Sequence, residues 1–186
     1  MPRYVALLRG INVGGRNRVA MADLRQLTEA LGHTEVGTYI QSGNVLFTSA
    51  ETDCGALADA LEQAIAKSLP VRPAVVVLSR ADLAQVVADN PFPDVTDPRC
   101  LHAVFRRSEL AEDAIAVIAG AQERARAKGS SDEAVAVGRA LFLHTPDGLG
   151  RSELAAQLAR AKGQPDGTAR NWATVSRLLA MLGSGA

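Results

Sequence analysis

The segment LLRGINVGGRN at residues 7–17 carries the side chains of this chain that are best suited to chemistry. An apolar run ends in Arg9, and a loop rich in glycine, asparagine and arginine follows it. Guanidinium groups bind carboxylates and phosphates through paired hydrogen bonds, and glycine-rich turns offer backbone N–H groups to the same anions. The segment therefore predicts the polar rim of an anion-accepting site. The rim would consist of Arg9, Gly10, Asn12, Gly14, Gly15 and Arg16.

The same loop does not have the residues of a nucleotide-hydrolysing site. Gly10 and Gly15 have P-loop spacing, but a P-loop continues with lysine and then serine or threonine. This chain has Arg16 and Asn17 at those positions, and the Rossmann pattern G-x-G-x-x-G is also missing. The simplest alternative is that the glycines only turn the chain from a strand into a helix, since glycine permits a positive φ.

Two further segments place polar side chains at the ends of expected elements. The QSGN sequence at residues 41–44 is expected to form the turn of a β-hairpin, and the TARNWAT sequence at residues 168–174 is expected to begin the last helix. An arginine beside a helix start favours an anion there. Turn hydrogen bonds, helix capping and packing of Trp172 also account for these residues. The candidate binding residues are Gln41, Ser42, Asn44, Thr168, Arg170 and Asn171.

The hydrophobic periodicity predicts an α+β fold built from two ferredoxin-like, split β-α-β halves. Residues 1–78 read as β-α-β-β-α-β. Residues 79–186 read as a variant of the same unit, β-α-β-β-α with an extra C-terminal helix, after a short helix at residues 80–88. Each half should form an antiparallel sheet with its helices packed on one face.

The composition is that of an ordinary globular protein, with 47% hydrophobic and 22% charged residues. The formal net charge is zero, so no overall field draws the protein towards nucleic acid or a membrane surface. The charge is nevertheless unevenly distributed along the chain, because the first 25 residues include five arginines and only one acidic residue, Asp23. The two cysteines form no CxxC motif, and the N-terminal residues have the pattern of a strand rather than of a secretion signal. We expect a cytoplasmic protein without a membrane span.

Several common kinds of site are not supported by the residues. The three histidines are scattered without metal-ligand spacing, so neither a metal nor another cofactor is expected. Ser42 has no histidine or lysine near it in the sequence to activate it as a nucleophile. Tyr4 and Phe47 lie on the strands that stack on bases in RNA-reading ferredoxin-like domains, but aromatic residues make up only 4% of the chain. Nucleic acid is therefore not the expected partner.

Four motifs taken together resemble those of a widespread bacterial family of domains of unknown function. They are YVALLRGINVGGRN, MADLR, TYIQSGNVLF and TARNWATV, and the resemblance extends from about Tyr4 to about Leu182. It implies an α+β protein of two ferredoxin-like halves and does not imply an activity. The recurrent positions of the family fall here on Arg9, Gly10, Asn12, Gly14, Gly15, Gln41, Ser42, Gly43, Asn44, Thr168, Arg170, Asn171 and Trp172.

The leading hypothesis is a protein that binds a small anionic or polar ligand in a groove between the two halves. Arg9 and Arg170 would act electrostatically, the glycine loop would donate backbone N–H groups, and Gln41 and Asn44 would orient the ligand. One alternative is an enzyme that uses the same groove through positioning and oxyanion-type stabilisation. The other is an RNA- or protein-binding adaptor. The residues leave the oligomeric state open.

Overall fold

The computed structural model describes residues 1–161 and 167–183. Contacts within the chain divide it into one unit of Met1–Gln85 with the segment that starts at Arg177, and a second unit of Val86–Ser176. The sequence-based boundary after residue 78 differs from this division, which runs through two helices instead. No helix of the described residues is long and apolar enough to cross a membrane.

The first unit is a ferredoxin-like β-α-β-β-α-β arrangement followed by a helix. Its four strands are antiparallel and lie in the order β2-β3-β1-β4, so the central β1 has β3 on one side and β4 on the other. The elements are β1 Arg3–Leu8, α1 Met21–Ala30, β2 Thr34–Tyr39, β3 Asn44–Thr48, α2 Cys54–Ser68, β4 Val75–Ser79 and α3 Arg80–Ala88.

Helices α1 and α2 cover one face of this sheet. Leu24 of α1 and the repeated Leu57, Leu61 and Ile65 of α2 pack on alternate residues of the strands, among them Phe47. The helical spacing of these side chains places them on one stripe, which is what allows the helices to lie flat on the sheet. Burial of this cluster holds β1 in place, and the residues that follow β1 form the predicted rim.

The second unit has the same architecture. Its strands are antiparallel and lie in the order β6-β7-β5-β8. Ser152 caps α5, because its hydroxyl accepts from the backbone N–H of Ala155 at 2.9 Å. The elements are β5 Leu101–Phe105, α4 Glu112–Ala127, β6 Glu133–Val137, β7 Ala140–His144, α5 Glu153–Arg160, β8 Thr168–Asn171 and α6 Trp172–Gly183, with a 3-10 turn at Leu149–Arg151. The residues of α6 from Arg177 onwards belong to the first unit.

Strand β8 corrects the prediction for the second half. Thr168–Asn171 pairs along the central β5 and completes the β-α-β-β-α-β unit, whereas the sequence predicts that these residues begin a helix. The helix starts only at Trp172, with the Asn171 side chain accepting from the backbone N–H of Thr174 at 2.9 Å. The strand escapes detection because its inward-facing side chains, Thr168 and Arg170, are polar rather than apolar.

Candidate ligand-binding site

The loop after β1 is a folded structure with its own tight turn. The backbone N–H of Arg16 donates to the carbonyl of Val13 at 3.0 Å, and the two residues form an antiparallel bridge. Gly14 and Gly15 between them have φ angles of +57° and +76°. Two successive positive φ angles define the two-residue hairpin turn that glycine favours. These glycines are therefore explained by the turn itself.

Two asparagines close the loop. The Nδ2 of Asn12 donates to the carbonyls of Val19 and Gln41 at 3.0 and 2.9 Å, and its Oδ1 accepts from the backbone N–H of Val19 at 2.9 Å. The Nδ2 of Asn17 donates to the carbonyl of Gly10 at 3.0 Å. Asn12 also donates its backbone N–H to Asn17. Some of the backbone N–H groups that were expected to bind a ligand therefore donate to carbonyl groups within the loop instead.

The QSGN turn packs directly against this loop. Gly43 has a φ of +78°, and a Cβ at that position would lie 2.7 Å from the Cδ1 of Ile11 and 2.9 Å from the Cβ of Leu8. The backbone N–H of Leu8 donates to the carbonyl of Gly43 at 2.9 Å. The structure therefore brings the two motifs of the first unit together, as the leading hypothesis requires.

Asn44 has a different position from the one predicted. Its side chain is fully buried, and its Nδ2 donates to the carbonyl of Tyr39 at 2.9 Å and to the Oγ of Ser42 at 3.0 Å. Asn44 thus holds the turn together rather than facing a ligand, while the side chain of Gln41 is exposed.

A cavity of about 430 Å³ lies where β1 ends and β4 begins. Arg9 and Arg72 both line it, and both are exposed residues of the first unit. Asn17, Gly10 and apolar side chains complete the wall, and none of the lining residues that the structure describes is acidic. The lining consists of Arg9, Gly10, Ile11, Asn17, Val71, Arg72, Pro73 and Ala74.

Arg72 is a cavity-lining residue that the motifs do not reveal. In the antiparallel pair of β1 and β4, the residues after β1 lie beside the residues before β4, and the backbone N–H of Arg9 donates to the carbonyl of Ala74 at 2.9 Å. The strand order of a ferredoxin-like unit contains this information, since it makes β1 and β4 neighbours. The strand order therefore predicts that Arg9 and Arg72 lie close together, although they are far apart in the sequence.

Arg170 belongs to the second unit and is only 7% exposed. Its Nη1 donates to the Oγ1 of Thr168 at 2.7 Å and to the carbonyl of Ala169 at 2.8 Å. Burial lowers the pKa of its guanidinium to about 10, because the charged form loses hydration inside the protein. The prediction that Arg170 lies at the start of the last helix is wrong, since it lies on β8 and is buried.

The aromatic side chains of β1 and β3 do not form a base-stacking surface. Tyr4 and Phe47 are 3% and 0% exposed, and their rings pack against each other at a centroid distance of 5.8 Å. Burial raises the pKa of Tyr4, and the charges of Cys54, Glu51 and Asp82 add to the effect. Both rings are part of the core, so they cannot serve the RNA-reading role considered for them.

The fold and the cavity define an α+β protein of two split β-α-β units, one of which carries an arginine-lined cavity beside its central strand. The chain belongs to the family described as Protein of unknown function (DUF1697), whose model matches residues 1–142. It is similar to the solved structure of the conserved bacterial protein SP0830 from Streptococcus pneumoniae, with 28% identity and a TM-score of 0.73 over 97% of this chain and 98% of that chain. No curated protein matches it.

Proposed function

We propose that this protein binds a small ligand with a phosphate or carboxylate group in the cavity between the end of β1 and the start of β4. The observation that carries the proposal is that Arg9 and Arg72 line one cavity whose described lining contains no acidic residue. Arginine binds carboxylate and phosphate groups through two parallel N–H···O bonds, and two arginines on one wall favour an anion over a neutral group.

The size and build of the cavity suit a small molecule. Its volume of about 430 Å³ lies within the range of about 300–1,000 Å³ typical of ligand pockets. Ile11, Val71 and Pro73 supply apolar wall, which would accept the carbon skeleton of a metabolite while the arginines hold its charged end. The loop that presents Gly10 is fixed by the Asn17 amide, so little ordering would be needed on binding.

The QSGN turn packs against the loop that lines the cavity. Gly43 packs on Ile11, which itself lines the cavity, and Asn12 ties the loop to the carbonyl of Gln41. The proposal therefore assigns ligand contact to Arg9, Gly10, Asn17 and Arg72, and a positioning role to Asn12 and Asn44.

The proposal is tested by thermal unfolding during titration with inorganic phosphate and with small mono- and dicarboxylates. The parent protein should gain about 1.4 kcal/mol at ten times the dissociation constant, which corresponds to a rise of a few degrees in Tm. Arg9→Ala and Arg72→Ala should each weaken binding about tenfold or more, because each removes a charge-assisted contact.

The matched control is Arg126→Ala, which removes an exposed arginine of α4 in the second unit. It should leave the titration unchanged. The proposal fails if none of these anions raises the Tm of the parent, or if Arg126→Ala weakens the response as much as Arg9→Ala does.

A further inference from the structure

A second surface of the first unit borders the cavity and shares Asn12 and Asn17 with the proposed anion site, but its exposed aliphatic and basic side chains do not line the cavity. It is the loop–turn corner, which we define as residues 12–18 together with residues 40–43. Val13 is 65% exposed at the tip of the glycine hairpin, and Ile40 is 49% exposed on the neighbouring turn. The two segments are joined by the bond from the Asn12 amide to the carbonyl of Gln41. The corner therefore presents two aliphatic side chains to solvent from one hydrogen-bonded structure.

Ile40 has a backbone conformation that its residue type disfavours. Its φ is +50°, in the left-handed region that glycine and asparagine adopt readily and that is a genuine outlier for a β-branched residue. The carbonyls on both sides of it are held, that of Tyr39 by the Asn44 amide and that of Gln41 by the Asn12 amide. The turn thus fixes an aliphatic side chain outward at a conformational cost, and such strain concentrates at binding sites.

Neither folding nor solubility explains an isoleucine at this position. An exposed side chain contributes little core packing, and a turn with positive φ is better served by asparagine or glycine. In the second unit the equivalent hairpin turn is Gly138-Arg139, and the residue with the positive φ is a glycine. An aliphatic side chain held outward by a strained backbone is best explained by contact with another molecule.

The charge of the corner indicates the chemistry of that molecule. Arg16 pairs with Val13 across the hairpin bridge, so a cation and an aliphatic group lie side by side, and Arg18 is also exposed. The chain has no acidic residue between Arg9 and Asp23. A zero net charge supplies no general attraction to a membrane, and two aliphatic side chains are too few for stable insertion.

We propose that the loop–turn corner is a docking surface for an acidic protein segment that carries aliphatic side chains. Val13 and Ile40 would contact the aliphatic groups of the segment, and Arg16 and Arg18 would pair with its carboxylates. Apolar contact at the centre with charged contact around it is the usual composition of such an interface.

The test uses the full chain and a short fluorescein-labelled peptide in which aspartates alternate with leucines, followed by anisotropy. Two matched peptides carry serine in place of leucine or lysine in place of aspartate. The first peptide should bind, and both matched peptides should bind about tenfold more weakly or not at all. High salt should weaken binding of the first peptide, because exposed charge pairs are screened.

Variants distinguish this surface from the rest of the molecule. Val13→Ser and Ile40→Asn should each weaken peptide binding about tenfold, since each removes an apolar contact at the centre of the surface. Arg16→Ala should also weaken it, since it removes a charged contact around that centre. Ile115→Ser and Arg126→Ala are the matched controls, because Ile115 is 46% exposed and both residues lie on α4 of the second unit. Ile40→Asn should fold with an unchanged or higher Tm, since asparagine suits the positive φ.

Three outcomes would overturn the proposal. They are absence of binding to the aspartate–leucine peptide, equal binding by the corner variants and the controls, and a preference for phosphatidylserine vesicles that depends on Val13. The test is independent of the anion site, because Arg9→Ala should leave peptide binding intact and Val13→Ser should leave the phosphate titration intact.

Discussion

The two halves of this protein share a common frame and differ at one corner of it. In both halves the central first strand lies between the third and fourth strands, and the residue that ends the fourth strand caps the helix that follows. The capping residues are Ser79 and Asn171. The pairing registers also correspond, since Leu7 faces Asn44 and Val76 in one half as Phe105 faces Ala140 and Thr168 in the other.

The difference lies in the connections at the end of the first strand. In the first half, residues 9–20 form the glycine loop and residues 40–43 form the hairpin turn. The second half connects the same elements with residues 106–111 and 138–139. Both lengthened connections of the first half meet through the Asn12 amide. Lengthened connections that the shared frame does not require, and that lie together on one half, are a common feature of binding sites in other proteins.

One methyl group added to a turn glycine should destabilise the two halves by different amounts. Gly43→Ala should cost about 3 kcal/mol, because it combines a positive φ with a Cβ 2.7 Å from Ile11. Gly138→Ala should cost only about 1 kcal/mol, because its φ is +54° and nothing lies within 4 Å of the added atom. Urea denaturation of both variants measures the difference. Equal losses would show that the turn does not pack on the loop as described.

The fourth strand of the second half has a buried arginine where that of the first half has a leucine. By register Arg170 occupies the position of Leu78, and both side chains are buried. Arg170→Ala should cost about 2 kcal/mol, because it leaves a space and removes the donor to Thr168. Arg170→Met should cost much less, since an apolar side chain of similar length often replaces a buried cation without loss. A methionine variant as unstable as the alanine variant would show that the guanidinium itself is needed.

The third and smallest effect concerns one histidine in each half. Burial lowers the pKa of His33 and of His102 from 6.5, so both are neutral in the folded protein at neutral pH. The unfolded chain binds protons at these sites as the pH falls below 6.5, whereas the folded chain does not. Stability should therefore fall from about pH 6.5 down to the lowered folded-state pKa and should not change above pH 6.5.

This pH effect is measured as Tm against pH in the parent and in His33→Gln and His102→Gln. Each imidazole has one buried nitrogen without a hydrogen-bond partner among the described residues, and we expect a larger change for His102 because its imidazole is the more deeply buried. A parent Tm that rises as the pH falls through this range would contradict the prediction.

Most of the helices and strands can be predicted from the sequence, because the spacing of the apolar residues indicates which side chains are buried. The alternating residues of β5 and the spacing of Leu57, Leu61 and Ile65 on α2 are direct consequences of packing. Strand β8 cannot be found in this way, because its buried residue Arg170 is polar and the sequence does not distinguish a buried arginine from an exposed one. In the folded chain Arg170 is buried and donates hydrogen bonds to Thr168 and Ala169, and the sequence alone does not show these contacts.

The candidate site is predicted in part. Motifs locate the loop and the QSGN turn, since glycine and asparagine are needed where φ is positive. They do not separate side chains that build the turn, such as Asn44, from those that line the cavity, such as Arg9. Arg72 carries no motif at all, and its place follows from the pairing of β1 with β4.

The Asn17 amide has a thermodynamic consequence. It clamps the carbonyl of Gly10, which lines the cavity, while the backbone of Asn17 is bonded to Asn12, which anchors the corner. One closed loop therefore borders both surfaces. If a ligand in the cavity changes the affinity of the corner for its partner by some factor, thermodynamic linkage requires that the partner change the affinity of the cavity for its ligand by the same factor. One coupling free energy would then describe both effects.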